Sequence, residues 1–264
     1  MITSEPISSI LRALGFLSRI PVGSSHFGDG HRASDDAHVY PLAGLVISLP
    51  AALLVGLAAV YPHASLLLAT LAVAATVIIT GALHEDGLGD VADGFFATTD
   101  RTRMLEIMRD PHLGTFGTLA LILSILLRVV CLGILIENAG AVETAMLLMA
   151  TEALSRSALV WHWFALPNAR PGGKADHAGQ PSQRQVQLSL VFGMAIFTVA
   201  SFLAQISVVA AVMTVICAAI AALLFKTYCI AKLGGHTGDT VGATQQIVVL
   251  SLLALLAIST VAPN

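Results

Sequence analysis

Residues 64–83 read ASLLLATLAVAATVIITGAL, and residues 84–94 continue HEDGLGDVADG. The first stretch is apolar and long enough to cross a bilayer as a helix, which takes about 20 residues. The second stretch places four carboxylates within nine positions: Glu85, Asp86, Asp90 and Asp93. Carboxylates at this density repel one another unless a proton or a cation neutralises them. The junction of the two stretches therefore predicts a divalent-metal site at the surface of a membrane.

The composition of the whole chain is typical of a membrane protein. Of its 264 residues, 56% are hydrophobic and 11% are charged, and the mean hydropathy is +0.84. A soluble domain has roughly 45–50% apolar and about 25% charged residues. The net charge of −3 comes without a basic block, so no nucleic-acid partner is expected. We predict an all-α fold: a single domain over residues 1–264, built as a polytopic helical bundle in a lipid bilayer.

Seven apolar segments have the length of a membrane span. They are residues 41–60, 65–83, 114–136, 141–165, 187–206, 208–228 and 245–262. The apolar run from Leu188 to Ile230 is too long for one crossing and must turn back near Gln205–Ser207. Six spans are the alternative, if the 208–228 region is misread. Residues 7–20 have a weak amphipathic pattern, which predicts a helix on the membrane interface.

The basic residues predict the orientation of the chain. With seven spans, eleven of the 13 Lys and Arg residues fall on one side, and the short connections on the other side carry none. The positive-inside rule then places the N-terminus in the cytoplasm. Four parts of the chain are expected on that side: the N-terminal segment 1–40, a catalytic loop at 84–113, and loops at 167–186 and 229–244.

Four charged residues fall inside the predicted spans: Arg128, Glu143, Glu152 and Arg156. Charges at membrane depth cost several kcal/mol and usually face a partner or a polar interior. Glu152 and Arg156 are four residues apart, so they could pair on one face of a helix. The alternative is that they line a polar cavity.

The acidic segment is a candidate magnesium site. If it is helical, Asp86, Asp90 and Asp93 lie within about 60° of one another on one face, whereas Glu85 points away. Carboxylate oxygens hold hard cations such as magnesium and leave positions for water and phosphate. The glycines of the segment would let a phosphate approach the backbone. The alternative is a solvated acidic loop or a charge cluster at a helix N-terminus.

Two further segments have residue types that bind phosphate. Residues 108–117 read MRDPHLGTFG and open the third span, where a helix N-terminus at Gly114 favours anions and Arg109 adds a guanidinium. Residues 168–174 read NARPGGK, and their two cations, Arg170 and Lys174, could clamp a phosphate. Each segment also has a structural alternative. Residues 108–117 could simply start a helix, and the cations of residues 168–174 could simply belong to the positive-inside bias.

A glycine-rich segment precedes the last span. Residues 234–242 read GGHTGDTVG, with Gly235, His236 and Thr237 followed by Asp239. Such a loop could cradle a phosphate, and the aspartate could add a metal ligand. The alternative is a plain turn before the helix.

Taken together, these motifs resemble the cobalamin synthase family, also called adenosylcobinamide-GDP ribazoletransferase. The acidic segment at 84–94 is similar to the family signature. Three other segments occur in the family's order: FLSRIPV at 16–22, DPHLGTFG at 110–117 and GHTGDT at 235–240. The resemblance covers nearly the whole chain and keeps every carboxylate.

The resemblance implies a magnesium-dependent transferase of vitamin B12 assembly, at the cytoplasmic face of the bacterial inner membrane. Its small-molecule substrates would be adenosylcobinamide-GDP and α-ribazole or the 5′-phosphate, and GMP would leave. The implied catalytic residues are Asp86, Asp90, Asp93 and Asp239. The metal ligands would be Glu85, Asp86, Asp90 and Asp93. Contacts to substrate and phosphate would come from Arg19, Arg109, Gly114, Arg170, Gly235, His236 and Thr237. The resemblance leaves open whether the protein forms a homo-oligomer.

Two other functions are compatible with a membrane protein that has an acidic cluster. CDP-alcohol phosphotransferases also break a nucleotide diphosphate at a membrane surface, but this chain lacks their Ala-Arg after the first Asp-Gly and their wider aspartate spacing. A cation transporter would use the cluster as an ion entry site. Transporters usually hold their ion near the bilayer midplane and often have inverted repeats. We find no internal repeat in this sequence.

Overall fold

The computed structural model describes residues 5–28, 30–170 and 177–261. In these ranges the chain forms no strand, and one isolated bridge pairs Asn168 with His236. The α-helices are α1 (Glu5–Leu17), α2 (Tyr40–Gly56), α3 (Ser65–Thr80), α4 (Leu83–Ala97), α5 (Arg101–Ile107), α6 (Thr115–Asn138), α7 (Ala141–Ala165), α8 (Gln183–Leu203), α9 (Val208–Leu233) and α10 (Gly238–Val261). The predicted all-α fold is confirmed.

Six segments within the described residues are long and apolar enough to cross a membrane. They are Ala33–Ala59, Pro62–Thr80, Thr115–Asn138, Gln183–Leu203, Val208–Leu233 and Gly238–Val261. The predicted span at 141–165 is present as α7, whose 25 residues are about 37 Å long, but polar residues interrupt it. The chain is therefore a multi-pass membrane bundle. The predicted turn between α8 and α9 is confirmed at residues 204–207.

Helix α7 holds an ion pair in the interior of the bundle. It packs against α2, α6, α8, α9 and α10. Nη1 of Arg156 donates to Oε2 of Glu152 at 2.5 Å, and both side chains are buried. This is the predicted ion pair, and Gln245 of α10 also donates to Oε2 of Glu152 at 3.3 Å. A charge at membrane depth is tolerated when a partner and further hydrogen bonds satisfy it.

The range 84–113, which we expected to be a loop, is mostly helical. Gly81 and Ala82 have left-handed backbone (φ +63° and +58°), which ends α3 and turns the chain into α4. Asp100 starts α5 by accepting a hydrogen bond from the backbone N–H of Arg103 at 2.8 Å. The acidic segment therefore lies on a helix, as its spacing allowed.

The two other expected loops are shorter than predicted or only partly described. In the range 229–244, α9 continues to Leu233 and α10 begins at Gly238, so only a tight turn separates them. In the range 167–186, residues 171–176, including Lys174, lie outside the described residues. Helix α8 already begins there at Gln183, with Ser182 as its N-cap.

Helix α1 is held against the 3₁₀ segment Ala33–Val39 and α2. Its inner face buries Ala13, Leu14 and Leu17, and Nε of Arg12 on α1 lies 2.8 Å from Oδ2 of Asp36. With 13 residues, α1 is too short to span a bilayer. Its predicted place on the membrane interface stays a prediction. The helix brings its C-terminal end to the turn between α3 and α4.

Candidate active site

Helices α4 and α10 meet through a glycine. A Cβ atom on Gly87 would lie 2.6 Å from the carbonyl oxygen of Asp239, which is closer than side-chain atoms approach a backbone. Only glycine permits this contact. The missing side chain of Gly87 therefore serves the contact between the two helices, and the residue also lines the cleft described below, so the approach of a phosphate to its backbone stays a prediction. The contact brings Asp86 and Asp90 of α4 to the first turn of α10, which carries Asp239.

The four predicted catalytic aspartates affect one another electrostatically. Burial and the negative charge of Asp239 raise the pKa of Asp90 to about 7, from an ordinary value of 3.8. Asp86 and Asp93 raise it in the same direction, and Arg170 opposes them. Carboxylates that raise the pKa of a neighbouring carboxylate favour the binding of a proton or a cation between them. The electrostatic coupling places Asp86, Asp93 and Asp239 in the neighbourhood of Asp90.

Asp93 joins α4 to the start of α6. Its Oδ2 accepts a hydrogen bond from the backbone N–H of Gly114 at 2.7 Å, and its Oδ1 accepts one from that of Gly117 at 2.9 Å. These N–H groups belong to the helix N-terminus, which otherwise lacks partners. The N–H of Gly114 thus binds a carboxylate of the protein, where we expected a phosphate.

The predicted three-carboxylate cluster is not preformed. Among residues 5–28, 30–170 and 177–261, no three His, Cys, Asp or Glu side chains come close enough to hold a metal ion between them. Asp93 is turned toward α6, whereas Asp86 is exposed and Asp90 is half-buried. A metal role for Asp93 stays a prediction.

Glu85 lies on another side of α4, away from this group. Its Oε1 is 2.8 Å from Nη2 of Arg128 on α6, and both side chains are buried. The pair gives a guanidinium at membrane depth an oppositely charged partner, which explains why an acidic residue occupies this position. The position of Glu85 does not support the expected metal role, and we leave it out of the proposed metal set.

Arg128→Met should destabilise the protein by about 3–5 kcal/mol, because it leaves the carboxylate of Glu85 buried without a partner. The double variant Glu85→Gln/Arg128→Met should recover a large part of this loss, since it buries no unpaired charge. Thermal unfolding in detergent measures both. Equal destabilisation by the single and double variants would contradict the role of the ion pair.

The glycine-rich segment before α10 forms a compact turn that pairs with residues 167–169. The N–H of His236 donates to the carbonyl of Pro167, and the N–H of Ala169 donates to the carbonyl of His236, both at 2.8 Å. Gly235 packs so closely on the carbonyl of Pro167 that a Cβ atom would clash. We expected these backbone groups to bind a phosphate, but they are largely occupied by contacts within the protein.

Thr237 starts α10 and supports Asp239. Its N–H donates to Oγ1 of Thr240 at 2.9 Å, and its hydroxyl donates to Oδ2 of Asp239 at 3.2 Å. The hydroxyl oxygen of Thr237 also accepts a hydrogen bond from the N–H of Thr240 at 3.3 Å, and threonine capping of this kind satisfies one of the first N–H groups of a helix. The segment's contribution to the site is therefore to fix the position of Asp239.

Two guanidinium groups lie beside the aspartates. Nη2 of Arg170 donates to the carbonyl of Leu105 at 2.8 Å, and its Nη1 is 3.6 Å from Oδ2 of Asp239. Burial lowers the pKa of Arg170, and the positive charge of Arg109 lowers it further. Arg109 itself is exposed after α5. Both predicted arginines are thus near the acidic residues.

Arg101 is a residue whose structural role the sequence analysis missed. Its Nε donates to the carbonyl of Leu233 at 2.8 Å, and its Nη2 donates to that of Ala169 at 2.9 Å. It therefore ties the end of α9 to the segment that carries Arg170. Its position in the sequence, among several other basic residues, gave no signal of this role.

Arg19 lies at the turn into α4. Its N–H donates to the carbonyl of Ile79 at 2.7 Å, and its side chain crosses Gly81 so closely that a Cβ atom there would clash. The side chain of Arg19 is exposed. Phe16 and Leu17, which precede it in the chain, line the cleft described below, whereas Arg19 does not.

These elements enclose a cleft of about 290 Å³. The polar side of the cleft is formed by Asp86, His236 and Asp239, among others. The opposite side is apolar and includes Phe16 and Trp163, which the sequence analysis did not single out. The structure thus brings predicted residues from α4 and α10 together in one concave site, which is where a ligand would bind.

Comparison with known proteins finds relatives over nearly the whole chain. The sequence model of the cobalamin-5-phosphate synthase family matches residues 9–257. A protein of Sinorhizobium medicae (strain WSM419) named adenosylcobinamide-GDP ribazoletransferase is 43% identical over 251 residues, which are 95% of this chain and 96% of the relative. A protein of the same name from Brucella anthropi is 41% identical over 249 residues, or 94% and 95% of the two chains.

No solved structure matches this chain. The family match covers the cleft, the acidic helix and the turn before α10. The chain therefore belongs to the cobalamin-5-phosphate synthase family.

Proposed function

We propose that this protein joins adenosylcobinamide-GDP to α-ribazole or α-ribazole 5′-phosphate, giving adenosylcobalamin or its 5′-phosphate and releasing GMP. Family membership supports the substrates, since the relatives carry the corresponding enzyme name. The observation that carries the proposal is the meeting of Asp86, Asp90 and Asp239 beside a cleft, with Arg170 next to them. Acidic and basic groups placed together in this way suit transfer of a phosphoryl group.

Magnesium fits the residues of this site. Magnesium takes oxygen ligands and is usually bound by one or two carboxylates together with water and substrate phosphates, so a preformed cage is not required. Burial and the neighbouring carboxylates raise the pKa of Asp90, and a bound cation would favour its ionised form. We propose that Asp86 and Asp90 hold the ion. When bound, magnesium would neutralise the diphosphate and help to ionise the attacking hydroxyl.

The proposed step is a displacement at phosphorus. The hydroxyl oxygen of ribazole forms a bond to the cobinamide-side phosphorus, the bond of that phosphorus to the bridging oxygen breaks, and GMP leaves with the electron pair. Asp239 lines the cleft and is proposed to accept the hydroxyl proton. Arg170 and Arg109 would hold the negative charge of the departing phosphate. Asp93 and Thr237 would position the acidic groups through their contacts to α6 and to Asp239.

We further propose that the site faces the cytoplasm from the inner membrane of a bacterium. The distribution of basic residues supports this orientation. The relatives are bacterial proteins, and the chain has several helices that could cross a membrane.

Removal of magnesium should abolish product formation. Purified protein in detergent is given adenosylcobinamide-GDP and α-ribazole 5′-phosphate, and the products are identified by mass. We expect adenosylcobalamin 5′-phosphate and GMP in equal amounts with magnesium, none after chelation with EDTA, and full recovery when magnesium is added in excess.

Two controls separate the other candidate functions. CMP release from CDP-diacylglycerol would indicate a CDP-alcohol phosphotransferase. Cation flux into proteoliposomes without any substrate would indicate a transporter. Unchanged product formation after thorough chelation would contradict the metal site.

A further inference from the structure

The cleft beside the acidic helix has two walls of different chemistry. Helices α4 and α10 provide the polar wall with Asp86 and Asp239. Helices α1 and α7 provide the apolar wall with Phe16, Leu159 and Trp163. Leu159 and Trp163 are four residues apart and therefore lie on the same face of α7. A ligand that fills this cleft must have one apolar end and one end that tolerates carboxylates or a cation.

The size of the cleft limits which substrate part can enter. Its volume of about 290 Å³ is at the lower end of small-molecule sites, which measure roughly 300–1,000 Å³. A nucleoside fits this space, whereas a corrinoid macrocycle with its side chains does not. The corrinoid must therefore remain outside and reach the acidic groups through its diphosphate.

The apolar wall has an accessible aromatic ring. Phe16 is 47% exposed although it lines the cleft, and its ring is stacked on that of Tyr40 with centroids 6.0 Å apart. Trp163, which lines the same cleft, is only 4% exposed and is part of the hydrophobic core. A half-exposed phenylalanine supported by a rigid core can stack on a flat ligand at little entropic cost.

The polar wall has an unused hydrogen-bonding group. His84 lines the cleft and is buried, and Nε2 of its ring has no hydrogen-bond partner among the described residues. A buried polar atom without a partner calls for an explanation, such as a bound group that the protein chain does not supply.

We infer that this cleft is the binding site for the ribazole substrate, with its planar apolar base against Phe16 and the wall formed by Leu159 and Trp163. The ribose end then points to Asp86 and Asp239, where its hydroxyl meets the diphosphate. His84 would bind a polar atom of the nucleoside. The inference rests on the proposed function and adds to it the place of one substrate.

Tryptophan fluorescence provides a test that needs no catalysis. The chain has two tryptophans, Trp161 and Trp163. Trp161 lies under Nζ of Lys226, 5.5 Å from its ring centre, and is not part of the cleft. The variant Trp161→Phe therefore reports on the cleft, and Trp163→Phe is its matched control. The probe is α-ribazole 5′-phosphate without corrinoid.

Saturable quenching in Trp161→Phe, with none in Trp163→Phe, is the expected result. Equal quenching of both variants would overturn the inference, since it would indicate a different or unspecific site. No saturable change in either variant would overturn it as well.

Phe16→Ala should raise KM for ribazole about tenfold, the effect of losing one base-stacking aromatic ring. KM for adenosylcobinamide-GDP and kcat at saturation should stay within about twofold. Phe116→Ala is the matched control, because Phe116 is 45% exposed, lies at the start of α6 and packs on Phe96 instead of the cleft. Phe16→Tyr, which keeps the ring, should retain a near-normal KM.

The kinetic outcomes separate the two proposals. An unchanged KM for ribazole in Phe16→Ala, or an equal rise for both substrates, would overturn the inference and leave the proposed function intact. Absence of any product from the two substrates with the wild-type protein would instead refute the proposed function.

Discussion

Asp90→Asn should lower kcat by about a thousandfold or more, because losing a metal-binding carboxylate removes several kcal/mol of charge stabilisation and each 1.36 kcal/mol is a factor of ten. The substitution keeps the size of the side chain, so substrate access should not change. Steady-state product formation at saturating magnesium measures the loss. Wild-type turnover in this variant at limiting magnesium would refute the role of Asp90.

The same variant should make the metal-free protein more stable at pH 8. Asp90 has a pKa of about 7 in the folded protein and an unfolded value of about 3.9. Its ionised form therefore destabilises the fold, and this cost is full above pH 7 and disappears as the pH falls toward 4. We expect Asp90→Asn to raise the unfolding midpoint at pH 8 by at least about 2 °C, and by less at pH 5.

Asp100→Asn is the matched control for both measurements. Asp100 is exposed and caps α5, a role that asparagine also fills. Its substitution should change neither turnover nor the unfolding midpoint. A loss of activity in Asp90→Asn together with a lower midpoint would indicate misfolding and not the loss of a ligand.

Gly87→Ala should reduce kcat about a hundredfold, since a displacement of about 1 Å at a catalytic site has an effect of this size. The added Cβ atom would lie 2.6 Å from the carbonyl oxygen of Asp239, so α4 and α10 must separate. Asp86 and Asp90 then move away from Asp239. The protein should still fold, because the bundle has other contacts, and its activity is the sensitive measure.

Gly56→Ala is the control for this substitution. Gly56 is at the end of α2, and a Cβ atom there would meet nothing within 4 Å. Alanine at this position should leave the activity unchanged and stabilise the fold slightly, by restricting the unfolded chain. Full activity in Gly87→Ala would show that the close approach of α4 and α10 is not required.

The sequence predicted most of the membrane architecture because hydropathy and length are local properties. The run at 141–165 coincides with α7, and the break near Gln205 was expected from the length limit alone. The prediction of a loop at 84–113 was wrong, because this range is mostly helical. Its glycines obscured the helix, and the purpose of Gly87 depends on α10, which lies some 150 residues further along the chain.

Predictions about individual site residues were limited by contacts between distant segments. The face of α4 that carries Asp86 and Asp90 followed from helical spacing, and so did the direction of Glu85, away from that face. The sequence did not predict that Asp93 binds the start of α6, nor that His236 pairs with residues 167–169. Each of these contacts joins segments that are distant in the chain. Phe16 was part of a family motif but carried no chemistry that would mark it as a cleft residue.

The ion pair between α4 and α6 has a consequence for biogenesis. Glu85 is synthesised 43 residues before Arg128. At about 5–20 residues per second, the ribosome needs roughly 2–9 s to cover that interval. Until α6 has been synthesised, Glu85 lacks the partner that it has in its buried position. We therefore expect the acidic helix to dock into the bundle only after α6, a span that follows it in the chain, has been inserted.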